Sequence, residues 1–146
     1  MSVVLVDDHL LLRTLLDDEP PDLRPPGTAI ATTGLWYHRL CRALAGRAVI
    51  GSLSRRLGEV DDHVAAAVLG SVISLPETVQ LMSMRTLGWP MARLLNAGAR
   101  LNLLSLEALA AARHLSAEIC LDEHDDNDSL RAAARDFEVS VRSVGA

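Results

Sequence analysis

The chain has 146 residues, 49% of them apolar, and a formal net charge of −5 at pH 7. A chain of this length and apolar content can fill about one core, so we predict a single domain over residues 1–146. The acidic balance excludes the general positive field of most nucleic-acid-binding proteins, and the complete lack of lysine excludes chemistry that needs a lysine amine, such as a Schiff base.

The first predicted elements are a strand and a helix. The β-branched run SVVLV at 2–6 predicts a buried strand that ends at Asp7 and Asp8. Leucines at helical spacing follow at 9–16, and the prolines within 17–27 end that helix. We therefore expect two carboxylates at the carboxyl end of the first strand.

A second strand and two helices come next. The run at 28–32 predicts a strand, with Thr33 as the N-cap of a helix that ends at Gly46. The segment 60–75 has acidic residues in its first turn and apolar residues at helical spacing, and Pro76 closes it. This pattern predicts an amphipathic helix.

The middle of the chain predicts one strand and two helices. VQLMSM at 79–84 favours a strand. Gly88 and Pro90 interrupt the helical pattern that follows, so we expect regular helix only from Pro90 onward. The segment 105–115 predicts a helix with Ser105 as its N-cap.

The tail returns to alternating strands and helices. We predict strands at 117–121 and 139–144, with a helix at 129–137 between them. Strands that alternate with helices form a parallel sheet covered on both faces, because each crossover returns the chain to the same edge. The predicted fold is therefore α/β and three-layered, with a central parallel sheet of about four or five strands flanked by helices.

Two acidic clusters follow predicted strands. Asp7 and Asp8 end the first strand, and DEHDDND at 122–128 follows the strand at 117–121. Ligands of parallel sheets bind at the carboxyl ends of the strands, so we expect the two clusters to meet. A carboxylate that ends a buried strand is costly to desolvate unless it is paired or binds a metal, which favours a functional role for Asp7 and Asp8.

Two known acidic motifs do not fit. VVLVDDHLLLR resembles the start of a response-regulator receiver domain, but RAVIGSLSRR at 47–56 offers no phosphoacceptor Asp and the chain has no lysine. DEHDDNDSLRAA at 122–133 lacks the Gly at the sixth position and the Glu at the twelfth position of an EF-hand loop. We therefore exclude both kinds of site.

The order of the elements resembles a PIN domain. Most of the resemblance is carried by LSLEALAAARHLSAEICLDEHDDNDSLRAAARDFEVSVRSV at 104–144, where a helix, a strand, an acidic turn, a helix and a final strand follow one another. VVLVDDHLLLRTLL at 3–16 resembles the opening strand of the family, with its terminal Asp at Asp7. TAIATTGLWYHRL at 28–40 resembles the second strand, and Thr33 is the small hydroxyl residue after it.

PIN domains are metal-dependent ribonucleases, so the resemblance implies three or four carboxylates that hold Mg²⁺ or Mn²⁺ and activate a water against a phosphodiester. Hard divalent cations take oxygen ligands, lower the pKa of a bound water and neutralise charge on phosphate oxygens. The resemblance implies as catalytic residues Asp7, Glu107 and Glu123. It implies as metal ligands Asp7, Asp8, Glu107, Glu123 and Asp126, with Asp122 and Asp125 as further candidates for the position of Glu123.

The sequence departs from the family at two positions. The acid expected in the second helix falls near His38 and Arg39, where there is no carboxylate. The acid expected at the start of the helix at 105–115 falls at Ser105, with Glu107 two residues along. An incomplete acidic centre leaves two functions open: a PIN-type metal-dependent endoribonuclease, or a catalytically inactive PIN-like module that binds a protein partner or RNA.

Several of these residues have a structural alternative. The segment 122–128 is also compatible with a polar turn in which Asp128 or Ser129 caps the last helix. Glu107 is also compatible with a capping box in a helix that Ser105 begins. Both alternatives stay open on the sequence alone.

Arg39 and Arg42 are the predicted RNA-binding residues. They lie in the most positively charged segment, next to Trp36 and Tyr37, and arginines beside aromatic rings can bind phosphates and stack bases. Trp36 and Leu40, however, lie at helical spacing as a core stripe would, which leaves the arginines on a solvated face.

Compartment and partners are also predicted. The sequence has no basic and apolar leader and no run of about 20 apolar residues, so we predict a cytoplasmic protein without membrane contact. Cys41 and Cys120 lie far apart and are predicted as small core residues. The PIN resemblance implies RNA, an antitoxin protein and a second copy of the chain in a homodimer as partners.

Overall fold

A computed structural model describes residues 2–46 and 62–145, in which strands and helices alternate. The strands are β1 (Val3–Val6), β2 (Ala29–Thr33), β3 (Val79–Met82), β4 (Glu118–Asp122) and β5 (Val141–Val144). The helices are α1 (Asp8–Leu15), α2 (Gly34–Ala45), α3 (Asp62–Ile73), α4 (Met84–Asn96), α5 (Leu103–Leu115) and α6 (Asp128–Asp136).

The five strands form one parallel sheet in the order β3-β2-β1-β4-β5. In the centre, Leu5 of β1 lies opposite Ala31 of β2 on one side and Ile119 of β4 on the other. The chain runs outward from β1 to β3 and then crosses back to β4, so the direction of winding reverses between β1 and β4. Ligands of open parallel sheets bind beyond the carboxyl ends of the strands at such a point.

Helices cover both faces of the sheet. Successive residues of a strand point to opposite faces, so Leu5 packs into the core with α4, α5 and α6, and Val4 and Val6 pack into the core with α1, α2 and α3. All residues of α5 from Ser105 to Ala112 are buried, because its alanines let neighbouring elements approach the helix from every side. The predicted three-layer α/β fold with a central parallel sheet is confirmed.

The predicted start of α4 is wrong. The helix begins at Met84, six residues before Pro90, and Ser83 takes the N-cap position without a side-chain hydrogen bond. Proline removes one backbone N–H from the helical ladder, but the buried stripe of Leu87, Met91 and Leu94 continues across it. Burial of this stripe stabilises the helix on both sides of the proline.

Two predicted helix caps are also wrong, and one pair is confirmed. The N-cap of α5 is Asn102, whose side chain accepts from the N–H of Ser105 at 2.9 Å, so Ser105 lies inside the helix and the proposed capping box with Glu107 does not form. The N-cap of α6 is Asn127, rather than Asp128 or Ser129. In both cases asparagine provides the side-chain acceptor that a first turn needs. Thr33 and Gly46 cap α2 as predicted.

Three further sequence predictions concern the cysteines, a membrane span and the segment between α2 and α3. Cys120 is buried as predicted, and Cys41 is half-buried beside the same core. Among the helices of the described ranges, none combines the length and the apolar character of a membrane span. The segment 47–56 and the predicted helix start at 60 lie outside the described residues.

Candidate acidic centre

The two acidic segments of the chain meet at the carboxyl edge of the sheet. Oδ2 of Asp7 accepts a hydrogen bond from the backbone N–H of Asp122 at 2.8 Å, across 115 residues of sequence. Asp7 directly follows β1 and Asp122 is the last residue of β4. The predicted meeting of the clusters is confirmed, and it lies where the winding of the sheet reverses.

Asp7 is fully buried, and each of its oxygens accepts a backbone hydrogen bond. Oδ1 accepts from the N–H of Leu10 at 2.9 Å, which makes Asp7 the N-cap of α1, while Oδ2 binds the N–H of Asp122. Burial raises the pKa of Asp7 to about 7 although both hydrogen bonds lower it, and the charge of Asp8 raises it further. The carboxyl group therefore changes charge near neutral pH.

The raised pKa of Asp7 predicts that folding stability falls between about pH 4 and about pH 7. In this interval the folded protein keeps a proton on Asp7 that the unfolded chain has lost, so the stability present at lower pH disappears as the pH rises through the folded pKa. The slope is at most about 1.4 kcal/mol per pH unit. Urea denaturation at several pH values measures it, and we expect a shallower decline for Asp7→Asn. Identical declines in the two proteins would contradict this prediction.

Asp8 is also fully buried, and Arg39 binds both of its oxygens. Nε of Arg39 donates to Oδ2 and Nη2 donates to Oδ1, each at 2.6 Å. Nη2 also donates to a carboxylate oxygen of Asp125 in the turn after β4. Burial alone would raise the pKa of Asp8, but the close imidazole of His9 and the hydrogen bonds and charge of Arg39 hold it below its usual value.

Four side chains of the described residues bring potential metal-ligand atoms within 4.8 Å of one another: Asp7, Asp8, His9 and Asp125. Nδ1 of His9 lies 3.3 Å from Oδ1 of Asp8 and 3.7 Å from Oδ2 of Asp125. Carboxylate oxygens and an imidazole nitrogen are ligands that divalent cations accept. The group could therefore hold a metal ion. We call these four residues together with Arg39 the acidic centre.

No protein-family model matches the sequence, and no curated protein matches it either. The case for a function therefore depends on the acidic centre and its contacts. The most informative contact for the function is that of Arg39 with two of the four potential ligands, Asp8 and Asp125. A divalent ion that used these carboxylates would have to share them with the guanidinium or displace it.

Glu107, a predicted catalytic residue and metal ligand, lies outside the acidic centre. Its side chain is buried, and Oε1 accepts from the N–H of Leu35 at 2.8 Å. Leu35 is in the first turn of α2, where backbone N–H groups have no partner within the helix and the helix dipole favours a negative charge. A Cβ at Gly34 would lie 3.6 Å from Oε2, an ordinary contact distance, which shows how closely the start of α2 approaches the carboxylate. Glu107 thus ties α5 to the start of α2.

The role of Glu107 as a cap predicts a loss of stability on truncation. Glu107→Ala leaves the N–H of Leu35 without its acceptor, and we expect the free energy of unfolding to fall by about 2 kcal/mol. Glu107→Gln is the matched control, because its amide oxygen can accept the same hydrogen bond without the charge, and it should lose less than half as much. Chemical denaturation compares the two variants, and equal losses would exclude the cap.

Two further predicted ligands, Glu123 and Asp126, do not belong to the acidic centre. Oε1 of Glu123 lies 3.8 Å from Nε2 of His124 on the exposed side of the turn. Oδ1 of Asp126 accepts from Nε of Arg131 at 2.5 Å. Both side chains are more than one third exposed. Metal binding by these two residues stays a prediction. In the described residues, neither side chain lies close enough to the other potential ligands to share an ion with them.

Part of the predicted RNA-binding segment of α2 is buried in the core, and part of it is exposed. Trp36 and Leu40 are buried, and the hydroxyl of Tyr37 donates to the carbonyl of Val72 at 2.6 Å. The aromatic residues of this segment are therefore used in packing, as the core-stripe alternative predicts. Arg42 is exposed, whereas Arg39 binds the acidic centre.

Sequence reasoning missed His9 as a member of the site. The residue belongs to no zinc-binding spacing, but it follows Asp7 and Asp8 directly, in the first turn of α1. That position after a strand-end acid pair is the signal that could have found it. Asp125 was one of several candidates in the acidic turn, and the structure places this one against Arg39.

Proposed function

We propose that the chain is a PIN-like domain that binds a macromolecular partner and does not hydrolyse RNA. The observation that carries the proposal is the guanidinium of Arg39, which binds both oxygens of Asp8 and also binds Asp125. A divalent ion would bind the same carboxylates and would lie close to the guanidinium, so the two positive charges repel each other and compete for this site.

The electrostatics of the acidic centre favour the guanidinium. Arg39 belongs to the chain and is always charged, and its hydrogen bond to Asp8 raises its pKa further. Mg²⁺ gives up its water shell reluctantly, and Asp8 offers no exposed surface to a hydrated ion. Asp7, with its pKa near 7, is partly protonated at neutral pH and is then a weak ligand.

The PIN-like assignment is supported by the fold and by where the acids lie. The parallel sheet with helices on both faces agrees with the layout that the resemblance implies, and acids from the two ends of the chain meet at its carboxyl edge. Arg39 occupies the part of the second helix where the resemblance implies a carboxylate. Arg39 thus places a positive charge where the resemblance implies a carboxylate ligand of the metal.

A second candidate function is a PIN-type endoribonuclease that uses Mg²⁺ or Mn²⁺. It is favoured by the four potential ligand atoms that lie within 4.8 Å of one another. In this function Arg39 leaves the carboxylates, and its side chain, 37% exposed, contacts a phosphate of the substrate. A bound ion would supply a water of lowered pKa.

The PIN-like assignment also carries expectations about the cellular context. We propose a cytoplasmic protein whose partner is RNA or an antitoxin protein, and which forms a homodimer. Light scattering of the purified chain tests the dimer directly.

A cleavage assay distinguishes the two candidate functions. Wild-type protein is incubated with single-stranded RNA of mixed sequence and with Mn²⁺, Mg²⁺ or a chelator. The binding-module proposal predicts no cation-dependent cleavage beyond that of Asp8→Asn, prepared identically to control for contaminating nuclease. Cleavage that requires a cation and disappears in Asp8→Asn would replace the first candidate with the second.

A further inference from the structure

A pocket of about 450 Å³ lies between α4, α5 and the end of α6. Trp89 and Arg93 of α4, Arg113 and His114 of α5, and Phe137 after α6 line it. Its volume is within the range of natural ligand sites, and it is large enough for one nucleotide-sized group.

The pocket is separate from the acidic centre. The last turn of α5, which lines it, leads through two residues into Glu118, the first residue of β4. This places the pocket toward the amino edge of the sheet, whereas Asp7 and Asp125 lie at the carboxyl edge. The residues of the proposed function and those of the pocket can therefore be varied independently.

The lining of the pocket is basic on an acidic protein. Arg93, Arg113 and His114 contribute to it, and no carboxylate does, although the whole chain has a net charge of −5. Within residues 2–46 and 62–145, neither arginine forms a side-chain hydrogen bond or an ion pair. Their N–H donors are thus available to an anionic ligand, for which guanidinium groups provide two parallel donors.

The same lining presents aromatic rings. Trp89 is 76% exposed, the most exposed large hydrophobic residue that the structure describes. On the other side, the guanidinium carbon of Arg113 lies 5.4 Å from the centre of the Phe137 ring, which holds the cation in place over a flat surface. An exposed indole beside guanidinium groups is the combination on which single-stranded bases stack while their phosphates are bound.

The geometry points to a binding site for single-stranded nucleic acid, with one base stacked on Trp89 and neighbouring phosphates bound by Arg93 and Arg113. The charge of the lining is complementary to a polyanion. The aliphatic residues of the lining are Pro90, Leu94 and two alanines, and the two arginines beside them favour an anionic occupant over the large apolar side chains by which a peptide helix anchors in a groove. An acidic protein segment is the competing occupant.

Fluorescence anisotropy of a labelled oligouridine of about 12 nucleotides tests the site. We expect binding that weakens steeply with salt, and an affinity about tenfold lower for Trp89→Ala, the loss typical of one stacked base. Trp89→Phe should retain most of the affinity. Arg93→Ala and Arg113→Ala should each weaken binding, whereas Arg85→Ala, an exposed arginine of the same helix outside the lining, should leave it unchanged.

Tryptophan emission provides a second readout. The chain has two tryptophans, of which Trp36 is buried, so quenching by the oligonucleotide reports on Trp89. The inference is overturned if no oligonucleotide binds at low salt, if Trp89→Ala and wild type bind equally well, or if an oligoglutamate peptide quenches the emission and oligouridine does not. Because Trp89 is exposed, its variants should fold, which circular dichroism checks. The oligouridine titration is run with a chelator and without divalent cations, so its result stands apart from that of the cleavage assay.

Discussion

Arg39→Glu should make the stability of the protein depend on Mn²⁺. The substitution places a third carboxylate against Asp8 and Asp125 and removes the cation that both now bind. Breaking a buried ion pair on one side costs about 3 to 5 kcal/mol, and because Arg39 is 37% exposed we expect the lower end of this range. With the guanidinium gone, a divalent ion can take its place, and an ion at about 100 times its Kd restores about 2.7 kcal/mol.

Thermal unfolding with and without Mn²⁺ measures this effect. The matched control is Arg42→Glu, the same reversal of charge one turn further along α2 on an exposed residue. Arg42→Glu should lose less than about 1 kcal/mol and should gain nothing from the ion. If the two variants respond alike, or if Arg39→Glu gains nothing from Mn²⁺, Arg39 does not occupy a cation position.

Asp7→Ala should be the most destabilising single truncation in the acidic centre. It removes the acceptor of two backbone N–H groups, that of Leu10 at the start of α1 and that of Asp122 at the end of β4. Each buried N–H left without a partner costs about 1 to 3 kcal/mol. The loss of an N-cap belongs to the same range, so we expect a total of about 3 kcal/mol or more.

Asp7→Asn is the control for this prediction, because its single amide oxygen can replace one of the two acceptors. It should lose about half as much as Asp7→Ala. Urea denaturation at about pH 4 compares the two variants with wild type, because folded Asp7 is still protonated there and the cost of burying its charge does not enter the comparison. A loss below about 1 kcal/mol for Asp7→Ala would show that water replaces the carboxylate without cost.

The position of the site followed from the sequence, because it depends on topology. β-branched runs that alternate with helices predict a parallel sheet, and acids that follow two of its strands must lie at the same edge. The hydrogen bond between Asp7 and Asp122 is the direct result of this rule. Thr33 and Gly46 were predictable for a similar reason, since caps depend on local backbone chemistry.

The partners of individual side chains did not follow from the sequence. Arg39 reaches Asp8 across 31 residues and Asp125 across 86 residues, and Glu107 reaches Leu35 across 72. Such contacts depend on helix orientation and side-chain rotamers, which residue spacing does not determine. From residue spacing we predicted that Glu107 is a metal ligand or part of the cap of its own helix. In the structure its carboxylate instead accepts a hydrogen bond at the start of α2.

The errors at helix starts have a local cause. Pro90 carries a strong breaking signal, but the apolar stripe of α4 is buried on both sides of it and tertiary packing prevails. Ser105 is an adequate N-cap by residue type, yet Asn102 is equally suitable and lies one turn earlier. Residue type alone therefore does not choose between these two caps.

Titration calorimetry of the wild-type protein with Mn²⁺ tests the central claim most directly. At about pH 8, where Asp7 is ionised, the guanidinium of Arg39 should still bind Asp8 and Asp125, and we predict no saturable heat up to about millimolar ion. Binding of one Mn²⁺ per chain with micromolar affinity, lost in Asp8→Asn, would contradict the account and show that the acidic centre is a metal site.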